Sequence, residues 1–145
     1  MLNKYLVTAL FGLLLSTLAV VAQDRRADVQ IVKSSAAYAE VLLRRTEVQA
    51  EIESLLQSYT ETHPKVVDLR SELTPLERDI ERLMAVRSTE TAKLTSALGK
   101  LIVRRASLQS EFDRLARSYS KDHPEVKRAQ RRVEFFDAAI AEVLK

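Results

Sequence analysis

The sequence predicts an all-α protein of long antiparallel helices in a duplicated coiled-coil or helical-hairpin arrangement, with no β-sheet. Three observations predict it. Turn formers are scarce: the 145 residues include 2 Gly and 3 Pro, far fewer than a β-sandwich or an α/β enzyme of that length requires. Apolar residues recur at spacings of three and four over most of the chain, the period of helices that bury a narrow stripe against a partner. That stripe is then copied once, 60 residues further on, as expected of one duplicated supersecondary unit.

The N-terminus is set apart. Met1–Lys4 is short and positive, the 17 residues Tyr5–Val21 are almost wholly apolar, and Val20-Val21-Ala22 places small residues before the charged Gln23-Asp24-Arg25-Arg26. That order of n-, h- and c-regions is a secretory signal peptide. Cleavage is predicted after Ala22, dividing the chain into a signal peptide, 1–22, and a single helical coiled-coil domain, 23–145. The expected location is therefore periplasmic or secreted. A retained inner-membrane anchor is the alternative, and membrane contact is expected only if the segment stays uncleaved.

The repeat aligns about 41–83 with 101–143. From 41 to 66 it contains 10 identities in 26 columns, among them Arg44-Arg45 with Arg104-Arg105 and His63-Pro64 with His123-Pro124. The first seam runs Tyr38, Val41, Arg45, Val48, Ile52, Leu55, Tyr59, and its copy runs Leu98, Leu101, Arg105, Leu108, Phe112, Leu115, Tyr119. New seams follow each His-Pro: Val66, Leu69, Leu73, Leu76, Ile80, Leu83, then Val126, Ala129, Val133, Phe136, Ile140, Val143. Arg45, Arg105 and Arg87 interrupt the stripes, and a buried arginine needs an acidic partner or a route to water.

Prolines mark the breaks, because the residue before a proline is pushed out of the α region. The predicted helices cover about 28–60, 63–97, 100–120 and 123–145. Asp122, with Glu125 three residues on, is the expected cap of the last helix, and Thr62 its counterpart in the first copy. Gly99 reads as a C-cap or reversal. Thr74-Pro75 predicts a kink rather than a loop, since the seam keeps its phase there.

Composition and motifs point away from catalysis. With no Cys, there is no disulfide, thiolate site or cysteine nucleophile. His63 and His123 each follow a tyrosine (Tyr59, Tyr119) by four residues and precede a proline (Pro64, Pro124). Zinc needs three or four ligands, which nothing near them supplies, so Tyr-x-x-x-His-Pro is read as a helix-break element. Glu47, Glu51 and Glu53 fall beside Arg44 and Arg45 as surface ion pairs. No phosphate loop or nucleophile elbow occurs. No cofactor, metal or enzymatic activity is expected.

Charge is unevenly spread. Residues 99–145 contain 11 Lys+Arg against 7 Asp+Glu, while residues 24–98 contain 11 against 13. Lys127, Arg128, Arg131 and Arg132 form a basic run over two turns, a surface for an anionic glycan, an acidic envelope protein or the acidic half of another subunit. Self-association through the helix seams is expected, because seams this thin are commonly completed by bundling or oligomerisation. A nucleic-acid partner is not expected of a secreted chain.

The segment Tyr59-Thr60-Glu61-Thr62-His63-Pro64-Lys65-Val66-Val67-Asp68-Leu69-Arg70, followed by Glu72-Leu73 and Leu76-Glu77, resembles the periplasmic coiled-coil region of polysaccharide co-polymerases, the chain-length determinant family. Tyr119, His123, Pro124 and Val126 repeat its Tyr-x-x-x-His-Pro-x-Val pattern. Those proteins carry two membrane helices around the coiled coil, and some a cytoplasmic kinase. The resemblance covers the rod region alone. It implies a non-enzymatic coiled-coil scaffold or accessory protein of the cell envelope, linked to polysaccharide export. The alternative is a holdase-type periplasmic chaperone similar to the Skp/OmpH family, which requires a β-rich body. Asp28-Val29-Gln30-Ile31-Val32 is the one segment able to begin such a strand.

Overall fold

The computed structural model describes residues 29–145; the signal segment 1–22, its cleavage site and the expected helix start at 28 lie outside them. The described residues are all-α. They begin in a helical stretch, α1, over 29–33, followed by α2 (Ala36–Leu56), α3 (Pro64–Met84), a 3₁₀-helix (Ser88–Lys93), α4 (Ser96–Ser118) and α5 (Pro124–Leu144). Residues 29–32 are thus helical rather than extended.

Each of α2, α3, α4 and α5 begins where a side chain satisfies a free backbone N–H. The Ser35 hydroxyl accepts from the Tyr38 amide at 3.2 Å, and Thr95 accepts from Leu98 at 3.3 Å. These caps correct two expected boundaries. The first long helix starts at 36 because Ser35 breaks it from α1. The predicted 63–97 helix ends at Met84, where the chain leaves the α-helix for the 3₁₀ segment. Within α3 the helix passes through Pro75 without interruption, and the Thr74 hydroxyl donates to the Arg70 carbonyl.

The His-Pro elements are full reversals. Arg44 to Glu72 (2.7 Å) and Lys65 to Glu51 (3.3 Å) pair α2 with α3 in antiparallel register. Arg132 to Glu111 (3.2 Å) does the same for α4 and α5. The 60-residue repeat is therefore two helical hairpins. They are joined through α4, which packs against α2, α3 and α5. It lies antiparallel to α3, where Ser71 donates to Asp113 (2.8 Å) and Ser110 to the Asp68 carbonyl (2.7 Å). It lies parallel to α2, where Ser96 donates to Glu40 (2.9 Å).

The core follows from this placement. Val41, Val48 and Ile52 of α2, Val66, Leu69, Leu76 and Leu83 of α3, and Leu98, Ile102 and Ala106 of α4 form one buried cluster. Val32 and Leu94 join it at the end where α2 and α4 begin, near the Ala37 amide bonded to the Leu94 carbonyl. Most seam positions are buried or half-buried; Tyr59, Tyr119 and Val143 are exposed. With three neighbours, α4 buries Leu98, Gly99, Ile102, Arg105, Ala106 and Leu108, a face broader than a two-helix stripe. By contrast α5 buries only Val126, Ala129 and Val133.

Gly99 lies in the first turn of α4 with ordinary helical φ, not at a reversal. Its use is proximity: a Cβ there would lie 2.7 Å from the Glu40 Cβ and 3.0 Å from the Ala37 Cα. Arg105, the interrupting arginine, finds its partner in Asp79 of α3. The pair is hydrogen-bonded, with 6% and 4% of each residue exposed. Burial pushes the Asp79 carboxyl above the ordinary carboxylate range, against the pull of the Arg105 and Arg82 guanidinium groups.

Three outcomes are expected. Gly99→Ala should destabilise by about 1–3 kcal/mol in denaturant unfolding through overpacking, opposite in sign to the gain of roughly 1 kcal/mol usual inside an exposed helix. Asp79→Ala should cost about 3–5 kcal/mol by leaving Arg105 buried and unpaired, while Asp79→Leu with Arg105→Met should recover most of it. Relative to Asp79→Asn, the parent chain should lose stability as pH rises from acid through the raised Asp79 pKa. The unfolded carboxyl ionises first, so the folded state holds the extra proton over that window; a difference that grows with pH would contradict the raised value.

Candidate functional site: the helix reversals and the face of α5

The two Tyr-x-x-x-His-Pro elements have the same local build. α2 ends at Leu56 and α4 at Ser118, and residues 57–63 and 119–123 turn the chain. His63 adopts φ −59°, ψ 132° and His123 φ −60°, ψ 135°, the extended backbone that a following proline imposes. Each histidine is then the N-cap of the next helix. Nδ1 of His63 accepts from the Lys65 amide at 3.3 Å, and Nδ1 of His123 from the Glu125 amide at 3.2 Å. Pro64 and Pro124 take the first helical position, where a missing N–H costs nothing.

Histidine thus takes the capping role expected of Thr62 and Asp122. Asp122 instead pairs with Lys127 at 2.9 Å, and the Thr62 hydroxyl pairs with that of Thr60. The capping oxygens sit one residue too early once the proline sets the helix start at 64 and 124. The tyrosine of each element packs on its histidine, with ring centroids 4.2 Å apart at Tyr59–His63 and 4.4 Å at Tyr119–His123. The reversals are separate structures at the ends of two hairpins. Among the described residues, no three His, Cys, Asp or Glu side chains come together in a metal-binding group.

The basic run lies on α5. Lys127, Arg128, Arg131 and Arg132 are all exposed. Lys127 is paired with Asp122, Arg128 with Glu125 (3.2 Å) and Arg132 with Glu111 (3.2 Å). Arg131 forms no ion pair with the described residues. Phe135, one turn further along, is 75% exposed, and Val143 two turns beyond is also exposed. Arg131 and Phe135 thus lie one helical turn apart on the same uncovered stretch of α5.

The clefts are open and shallow, each running between two neighbouring helices. The α2–α4 cleft is bordered by Glu40, Arg44, Lys100 and Arg104, and the α2–α3 cleft by Gln49, Glu53, Arg70 and Leu73. Arg44 is engaged by Glu72 and Glu47, and its hydrogen bond to Glu72 raises its pKa further. Of the carboxylates read as surface ion pairs, Glu47 pairs with Arg44 and Glu51 with Lys65. No described helix is long and apolar enough to cross a membrane.

Replacing either capping histidine, in His63→Ala or His123→Ala, should cost on the order of 1 kcal/mol of unfolding free energy. His63→Asn, which keeps an acceptor, should restore much of that loss. Comparison with known protein families, curated proteins and solved structures gives no match to this chain.

Proposed function

We propose that the chain is a non-enzymatic helical scaffold or accessory protein of the cell envelope, acting in the periplasm or after secretion and linked to polysaccharide export. The observation that carries this is the outer face of α5, where Arg131 and Phe135 stand uncovered on a helix packed along one side only. A surface that combines apolar bulk with a cation that no described residue pairs supports binding of a macromolecule more than turnover of a small one. Self-association, an acidic envelope protein or an anionic glycan are the interactions that fit it.

The location rests on the signal-like order of Met1–Lys4, Tyr5–Val21 and Ala22. The export link rests on the resemblance of Tyr59–Val66 and Tyr119–Val126 to the co-polymerase coiled coil. A holdase-type chaperone is the second reading, and it is less well supported. The β-rich body it requires has no strand among the described residues.

The test is in-cell crosslinking and pull-down of the tagged chain, with partners identified by mass. A few stoichiometric envelope or glycan-export components are the expected result. A broad population of unfolded outer-membrane proteins would overturn the scaffold in favour of the chaperone.

A further inference from the structure

We propose that copies of this chain associate head to tail, the outer face of α2 of one copy seated in the groove between α4 and α5 of the next. This rests on the interaction-protein function above and names one occupant of its open face.

The internal repeat supplies the template. An offset of 60 maps α2 onto α4 and α3 onto α5. Within one chain, the groove between α2 and α3 is filled by α4. The groove between α4 and α5 is its repeat mate, and the described residues leave it open. The helix that fills the first groove is α4, already seated, and its repeat mate is α2.

The outer face of α2 corresponds, at the offset of 60, to the seated face of α4. Where α4 lays down Gly99, Ile102, Val103 and Ala106, α2 carries Ala39, Leu42, Leu43 and Thr46. Gly99, Ile102 and Ala106 are buried and Val103 is packed against the core. Their mates are uncovered: Ala39 and Thr46 are exposed, Leu42 is half-buried, and Leu43 is 59% exposed.

The receiving groove shows the same correspondence. Pro75 and Leu83 of α3 are buried, whereas their mates on α5 are the exposed Phe135 and Val143. Beside Pro75 the α3–α4 groove keeps an unfilled cleft of about 360 Å³. The larger ring of Phe135 is matched to the equivalent space. Large apolar side chains are therefore exposed at places whose repeat mates are covered.

Charge selects the same pairing. The α3–α4 contact places Ser71 against Asp113 at 2.8 Å. The repeat mates are Arg131 and Glu53, opposite charges brought together only when α2 of a second copy takes the place of α4. Two features weaken the contact relative to its internal template. Asp79 has Ala139 as its mate, so the buried ion pair is not reproduced. Ala39 stands where Gly99 permits close approach. Association is therefore concentration-dependent. Because the two surfaces differ, it is heterologous and propagates as an open array or closes as a ring.

The chain contains no cysteine, so disulfide trapping reads the contact cleanly. A chain carrying both Glu53→Cys and Arg131→Cys, both at exposed positions, should give a ladder of covalent multimers under mild oxidation. The two single-cysteine variants mixed should give a dimer, and neither alone should. Adding Phe135→Glu to the double variant should reduce the ladder about tenfold or more. Arg131→Glu should weaken the association of the cysteine-free chain in sedimentation, and a further Glu53→Arg should restore it. Monomer alone from the double variant would overturn the proposal. So would dimer formed equally by one single-cysteine variant, the mark of a symmetric face. A monomeric chain that still captures dedicated envelope partners would overturn the head-to-tail contact and leave the scaffold function standing.

Discussion

The fold depends on a charge pair that is almost withdrawn from water. Taking an arginine and an aspartate out of solvent costs several kcal/mol per ion, repaid only where the partners meet well and further bonds complete them. Arg105 meets the first condition because α4 runs between two acids, although its buried Nε makes no hydrogen bond among the described residues. Asp79 binds it from α3, and Asp137 of α5 lies 3.5 Å from its Nε. One guanidinium thereby connects three helices from both hairpins. The repeat mate, Arg45, has only Glu77 of its own hairpin at 3.9 Å and stays one-third exposed. The difference between the two arginines is the difference between an inner helix and an outer one.

Several smaller choices serve the same placement of α4. Gly99 removes the one side-chain atom that would hold α4 off α2. Asp68 receives Arg117 from the far end of α4, so polar contacts line the α3–α4 interface along its length. The histidine caps and prolines shape both reversals alike, which is why two hairpins of divergent sequence retain one register. Identity falls away after residue 66, where α3 faces α4 and α5 faces outward. The substitutions Glu72 to Arg132, Pro75 to Phe135 and Asp79 to Ala139 record that change of environment.

Much of this was legible in the sequence, for particular reasons. Helix class, the repeat and most seam positions follow from periodicity, which local sequence displays directly. The interrupting Arg105 announced that an acid was needed. It did not say which, because Asp79 lies 26 residues away on another helix and only tertiary packing brings it in. Gly99 was misread because a glycine that permits close approach looks the same in sequence as one that reverses the chain. The break at 85–95 was missed because neither glycine nor proline marks it. The caps were missed because Thr62 and Asp122 are better capping types than histidine, and only the proline's fixed position decides between them. Arg131 stood out as part of a basic run, but that no described residue pairs with it depends on where α5 lies.

Hydrogen exchange along the chain tests most directly the claim that α4 holds the two hairpins together. If α4 is the shared inner helix, its amides from about 98 to 110 should exchange slowest, near the global unfolding limit. Those of α5 beyond about 135 should exchange fastest among the helices. Equal protection of α4 and the distal half of α5, with α2 and α3 forming a separate slower unit, would contradict it, because the hairpins would then fold as independent bodies rather than around one common helix.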